Sequence, residues 1–194
     1  MVKTGITGGI GAGKSLVASI VEALGHPVYY ADNEAKRLMS DSPQLKDELI
    51  TLFGQNTFIN NTLNRPFIAK AIFENNTLLK KTNALVHPVV KADFALWTER
   101  NQTSPLVFLE SALIFEAQLQ TELDAVICVT APLSVRIKRV MQRDRCAEQD
   151  VLKRITAQKT EEEMALKADF AVCNDNQMAI TPQLEAVLAQ LKHC

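Results

Sequence analysis

Apolar positions along this chain follow two periods, and the boundaries between them divide it. Short apolar runs, several rich in β-branched residues, occupy 2–7, 27–31, 106–109, 125–129 and 170–173, and each reads as a strand. The runs at 106–109 and 125–129 have no polar face, as expected of parallel strands covered on both sides. Helical spacing fills the gaps. Leu16, Val17, Ile20, Val21 and Leu24 form one stripe, closed by Gly25, and another helix is predicted from about 133 to 143. Leu184, Val187, Leu188 and Leu191 mark a last helix, capped by Thr181-Pro182. From Asn33 to Arg100 helical periodicity dominates with almost no strand signal. Ser42-Pro43 opens one helix there with an N-cap and a proline at its first position, and Gly54 closes it. Asn60-Asn61-Thr62 reads as a turn, 67–73 and 78–85 as helical pieces, and His87-Pro88 as the start of another helix carrying Val89, Val90, Phe94 and Trp97. Five strands alternating with helices predict an α/β fold, a doubly wound five-stranded parallel sheet, with a helical insertion between strands two and three.

Composition narrows the class. A chain of 194 residues, 47% hydrophobic and 22% charged, is ordinary for one globular domain. A formal charge of −1 leaves no electrostatic footprint for nucleic acid. No apolar run reaches membrane-spanning length, and glycines with Lys14 and Glu22 interrupt any signal-peptide core, so a cytoplasmic protein is expected. Cys128, Cys146, Cys173 and Cys194 form no C-x-x-C pair, and buried reduced thiols are expected at Cys128 and Cys173.

The chemistry is concentrated at Gly8-Gly9-Ile10-Gly11-Ala12-Gly13-Lys14-Ser15, a complete G-x-x-x-x-G-K-[ST] run between the first strand and the first helix. Five of the seven glycines fall within the first thirteen residues, where backbone N–H groups can curl around phosphate oxygens. The helix continuing through Leu16 aims its positive end at the same anion. Lys14 would reach the β- and γ-phosphates and the Ser15 hydroxyl would ligate Mg²⁺. The pattern predicts that the chain binds a nucleoside triphosphate. No D-x-x-G switch or N-K-x-D guanine reader is present, nor the second half of an ABC-type ATPase, and the short chain, lid-like basic stretch and helical insertion look like a nucleotide-kinase relative.

Carboxyl ends of the strands are where such sheets bind substrates. Asp32, just after the second strand, is either the base for an acceptor hydroxyl or the N-cap of a helix starting at Asn33. Glu110, ending the third strand, is either a carboxylate holding a Mg²⁺-bound water or a cap or salt-bridge partner. Arg136, Arg139 and Arg143 share one helix face at spacings of 3 and 4. That face is either solvated charge or a lid whose Arg143 closes over the transferring phosphoryl group.

These residues resemble those of one family, the dephospho-CoA kinases, through nearly the whole chain. Gly5-Ile6-Thr7 followed by the glycine loop is similar to its opening, and Ala31-Asp32 with Arg37 to its D-A-D segment and downstream arginine. Leu63-Asn64-Arg65 with Ile72-Phe73, His87-Pro88 and Leu113-Ile114-Phe115-Glu116 resemble its middle motifs. Arg139, Arg143-Asp144 and Gln158 fall where its lid arginines and glutamine occur, and Ala168-Asp169-Phe170 with Asn174 resembles its ending.

The resemblance implies ATP-dependent phosphorylation of the ribose 3′-hydroxyl of dephospho-CoA, with ATP and Mg²⁺ as cofactors. It implies a nucleotide-binding core of 1–32, 101–135 and 168–194, a helical CoA-binding insertion of 33–100 and a lid of 136–167. Asp32, Lys14 and Arg143 would be catalytic. Gly9, Gly11, Ala12, Gly13, Lys14, Ser15, Leu16, Arg139 and Asn174 would bind ATP. Arg37 and Arg65 would contact the acceptor, and His87 either shapes its pocket or merely begins a helix. Ser15 and Glu110 would serve the metal. The partners expected are ATP and dephospho-CoA, with no nucleic acid, membrane or obligate protein. Three positions depart from the family pattern: Tyr30 stands for the first aspartate of D-A-D, Ala112 for a proline, and Lys91 for an arginine. Other readings are a kinase for a different nucleoside, nucleotide or small alcohol, and an ATP-switched binding module.

Overall fold

The computed structural model describes residues 1–192, so Cys194 lies outside the described residues. In chain order the elements are β1 (Val2–Thr7), α1 (Lys14–Ala23), β2 (Val28–Tyr30), α2 (Ala31–Asp41), α3 (Pro43–Phe53), β3 (Phe58–Ile59), β4 (Thr62–Leu63), α4 (Arg65–Glu74), α5 (Asn76–Arg100), β5 (Leu106–Glu110), β6 (Ala125–Thr130), α6 (Leu133–Asp144), α7 (Glu148–Thr156), α8 (Glu161–Lys167), β7 (Phe170–Cys173) and α9 (Ile180–Leu191). They divide into two compact units, one of residues 1–30 with 98–192 and one of 31–97, against the 33–100 expected for the insertion.

The first unit holds the five-stranded sheet, ordered β2-β5-β1-β6-β7 with every pairing parallel. All of β5 and all but the last residue of β6 are buried, as their unbroken apolar runs require. Ile6, Phe108, Ile127 and Val172 from the strands pack with Val17 and Val21 of α1 and Leu184 and Leu188 of α9. From β1 the chain crosses to β2 on one side, whereas β5 connects to β6 on the other. The crevice at such a switch lies beyond the carboxyl end of β1, where the glycine loop begins. Gly25, at φ 88°, closes α1 with its N–H on Glu22 C=O at 2.9 Å. The last helix starts earlier than expected. Its N-cap is Ala179, and Pro182 falls inside the first turn, where a missing N–H costs nothing.

The second unit is mainly helical. Ser42 Oγ accepts from Leu45 N–H at 3.4 Å, Pro43 begins α3 and Gly54 ends it, as the sequence predicts. Three features differ from expectation. The turn at 60–61 joins β3 and β4 into a two-stranded antiparallel hairpin. The strand β2 stops at Tyr30, and Ala31 already belongs to α2, so Asp32 lies in the first turn and the N-cap alternative fails. His87-Pro88 begins no helix, because α5 runs unbroken from Asn76 to Arg100 with Pro88 inside it. An interior proline costs about 3 kcal/mol. Val86, Val90 and Phe94, spaced by four and each at most 7% exposed, gain about 1.5–3 kcal/mol apiece by burial. Their stripe outweighs the proline, which stays exposed.

Candidate active site

The glycine loop joins β1 to α1, whose first turn carries no acidic residue and no side-chain cap. Gly13, as N-cap, has φ 103°, a conformation that strains any residue with a Cβ. Uncapped N–H groups and the helix dipole therefore converge on one point, with no acidic side chain in the helix's own first turn to compete.

Gly9 C=O accepts from Ala12 N–H at 3.1 Å and from Lys14 Nζ at 3.4 Å. Ile10 C=O accepts from Arg136 Nε at 3.0 Å, and Gly11 C=O from Arg139 at 3.4 Å. Ala12 C=O accepts from Asn174 Nδ2 at 2.8 Å and from Arg139 at 3.3 Å. Gly13 C=O accepts from Leu16 and Val17 N–H inside α1. The glycines permit these approaches. A Cβ on Gly9 would strike the Arg136 guanidinium, on Gly11 the Arg136 carbonyl oxygen at 2.6 Å, and on Gly13 the Asn174 amide.

The basic face of α6 thus divides. Arg136 is 6% exposed, fixed on Ile10 and paired with Glu161 at 3.5 Å, so it is neither a solvated charge nor an arginine free to swing. Burial pushes the Glu161 carboxyl up, and the Ala131 N–H and Arg136 pull against that shift. Arg139 bridges the loop to Asn174 Oδ1 at 2.9 Å. Arg143 is mostly exposed and pairs with Asp144 at 2.7 Å, which Arg154 also holds at 2.7 Å. The Arg143 and Arg154 guanidinium groups hold the Asp144 carboxyl below its usual range. Gly11, Gly13, Lys14, Ser15, Arg139 and Arg143 line one cavity of about 180 Å³, a size that suits a phosphate chain rather than a whole nucleotide. A larger groove of about 710 Å³ follows the opposite face of α6, past Leu133, Ile137 and Met141, and lacks this convergence of charge.

Glu110 ends β5 beside Ile6 of β1 and is 7% exposed. Its other strand partner is Tyr30, whose hydroxyl donates to Glu22 at 2.7 Å. Burial first, then Glu22, pushes the Tyr30 phenol up to about 12, so the residue replacing the family's aspartate is neutral.

The remaining candidates, Leu16 apart, belong to the second unit. Asp32 is exposed in the first turn of α2. Arg37 pairs with Glu34 and places one nitrogen 3.0 Å from both oxygens of Asp93, which raises its pKa further. Arg65 is the first residue of α4, exposed, behind the Asn64 cap that accepts from Phe67 N–H at 3.3 Å. His87 is half-buried within α5, and burial, then Lys91, lowers its pKa. Leu16 is exposed at the start of α1. Neither the solvated nor the lid reading of the α6 face foresees Arg136 fixed on Ile10, and Asn174, expected to bind ATP, holds the Ala12 carbonyl. The glycine spacing was the one signal that something approaches the loop closely. Among the described residues Cys128, Cys146 and Cys173 are free thiols, with Cys173 half-buried rather than buried, and no His, Cys, Asp or Glu cluster could hold a metal by itself.

A family profile described as dephospho-CoA kinase matches residues 2–179. The dephospho-CoA kinase of Porphyromonas gingivalis is 37% identical over 193 residues, covering 99% of this chain and 95% of that protein. That of Bacteroides fragilis is 34% identical over 190 residues, covering 98% and 93%. A crystal structure from Thermus thermophilus is 36% identical and superposes with a TM-score of 0.81, covering 98% of this chain and 97% of that one. With its phosphate loop, parallel sheet and matches along nearly its whole length, this chain belongs to the dephospho-CoA kinase family and is an ATP-dependent kinase of coenzyme A biosynthesis.

Proposed function

We propose that this chain transfers the γ-phosphoryl group of ATP to the ribose 3′-hydroxyl of dephospho-CoA, giving CoA and ADP. The observation that carries the reading is the phosphate site itself, an uncapped helix start with the loop carbonyls turned to protein donors and Arg139 and Arg143 lining the same cavity. In the transfer, the acceptor oxygen attacks the γ-phosphorus, the bond to the β–γ bridging oxygen breaks, and the hydroxyl proton passes to the Asp32 carboxylate. Lys14 leaves the Gly9 carbonyl for the β- and γ-phosphates, and Arg143 exchanges Asp144 for the equatorial oxygens. Gly9, Gly11, Ala12, Gly13, Ser15 and Leu16 form the loop and helix start that take the nucleotide, while Arg139 and Asn174 brace it.

The Ser15 hydroxyl and the Glu110 carboxylate are hard oxygen donors, the chemistry Mg²⁺ favours, and both belong to the loop-bearing unit. They would hold Mg²⁺, whose charge when bound offsets that of the β- and γ-oxygens. Arg37 and Arg65 hold acceptor phosphates, with Glu34 and Asp93 keeping Arg37 extended until one arrives. His87, neutral at pH 7, packs beside the acceptor without adding charge. Residues 33–100 are the CoA-binding region and 136–167 the lid, in which Arg136, Arg139 and the turn at 158–161 anchor and the stretch between Arg143 and that turn moves. The free thiols fit a cytoplasmic enzyme working where ATP is made. No helix among the described residues is long and apolar enough to cross a membrane.

The test is ADP release from Mg·ATP with dephospho-CoA, against adenosine and AMP as control acceptors. Turnover only with dephospho-CoA, yielding CoA, is the expected result. Turnover only with a control acceptor would keep the kinase and overturn the substrate, and ATP binding without turnover would favour a switch module.

A further inference from the structure

Ile10 is the loop residue whose two backbone groups are both held by side chains far along the chain. Its C=O accepts from Arg136 on α6, and its N–H donates to Gln158 Oε1 at 2.9 Å. Gln158 lies in the turn between α7 and α8, and that turn is tied down at several points. Its own N–H bonds Ile155 C=O at 3.1 Å, and the next N–H, of Lys159, donates to Glu116 at 3.3 Å. Glu161 accepts from Ala131 N–H at 3.2 Å and meets Arg136, closing the circuit back to Ile10. Residues 158–161 therefore form a strap across the apex of the phosphate loop.

We propose that Gln158 is a positioning residue for ATP, acting through the Ile10 N–H. A phosphate loop works only while its N–H groups keep one arrangement, and an apex N–H without an acceptor is free to rotate and take the loop with it. A neutral amide oxygen holds that N–H without setting a negative charge beside a triphosphate, which a carboxylate at 158 would do. Because Gln158 belongs to the proposed lid, the loop keeps its shape only while this turn is docked. The inference rests on the nucleotide-binding reading of the loop.

The experiment uses the full chain with three variants. Q158M and Q158N withdraw the acceptor, and Q158E retains one. Exchange of the Ile10 amide, read by ¹H–¹⁵N NMR without nucleotide, should be at least about tenfold faster in Q158M and Q158N and close to wild type in Q158E. ADP should bind about five- to thirtyfold more weakly to Q158M and Q158N, with KM for ATP rising in step and KM for dephospho-CoA within about twofold of wild type. Unchanged Ile10 exchange and ADP affinity in a folded Q158M or Q158N would overturn the proposal, as would equal loss of Ile10 protection in Q158E. Failure of the wild type to bind ADP would instead overturn the nucleotide reading, because the exchange measurement needs none.

Discussion

Substituting Gly9 by alanine tests whether the glycine loop is shaped by nucleotide alone or by the protein behind it. Gly9 lies outside the positive-φ glycines, so its backbone tolerates alanine, and the obstacle is steric. The added Cβ would lie 2.6 Å from Arg136 Cζ and closer still to a terminal nitrogen. An arginine tip normally swings aside at little cost. Here the side chain is 7% exposed and fixed at 3.0 Å on Ile10 and 3.5 Å from Glu161. Moving it gives up a charged hydrogen bond worth about 1.5–3 kcal/mol, and overpacking adds about 1–3 kcal/mol. Together they amount to about 2.5–6 kcal/mol, which lowers Tm by about 5–24 °C in a chain of this size. The assay is a double-mutant cycle by urea and thermal unfolding, with Gly9→Ala in the wild type and in Arg136→Met. Without the guanidinium, Gly9→Ala should cost less than about 1 kcal/mol, so the two sites couple strongly. An equal cost in both backgrounds would sink the argument and leave Gly9 a residue required only by phosphate.

Three further outcomes are expected. Asp32→Asn and Lys14→Ala should each lower kcat by at least about 10²-fold, with Tm held in Asp32→Asn because that carboxylate is exposed; full kcat in Asp32→Asn would remove it as the base. Arg143→Lys keeps the charge but loses the planar fork, so steady-state kinetics should show kcat down by about 10²-fold with KM for ATP little changed. His87 and His26 both have folded pKa values lowered from 6.5, mainly by burial, so the unfolded chain binds more protons below that pH. Their contribution is present above about pH 6.5 and lost as pH falls, by at most about 1.4 kcal/mol per pH unit each and less for partly solvated rings. The urea midpoint should fall from pH 7 to 5.5, and His87→Gln should flatten that fall.

Much of this was legible because it is local. Apolar runs without a polar face mark buried parallel strands, and the loop with its flanking strand and helix identifies a phosphate site from fifteen residues. What was not legible depends on partners far away in sequence. Arg136 read as one member of a basic face, either solvated or part of a lid, since nothing within its helix reveals an Ile10 carbonyl 126 residues earlier. Asn174 fills a gap behind Ala12, 162 residues away. Pro88 is a local breaker overruled by burial of Val86, Val90 and Phe94, a sum over tertiary contacts that periodicity cannot supply. The β3–β4 hairpin, with two residues per strand, is too short to establish a period.

The loop's selectivity for anions follows from where its carbonyls go. A curled backbone carries as many C=O dipoles as N–H dipoles, and unless the former are drawn aside the negative ends cancel the field the loop is meant to supply. In this chain the carbonyls of Gly9 through Gly13 all accept hydrogen bonds from the protein. The donors for three of them, Arg136, Arg139 and Asn174, lie in the C-terminal third of the chain. Two of these donors are cationic, so the groups that draw the carbonyls away also add positive charge behind the loop. Glu161 offsets one of these charges at 3.5 Å. The glycines that a sequence motif treats as room for phosphate are therefore equally room for α6 and Asn174, and the anion site is built by closing the loop from behind before any nucleotide arrives.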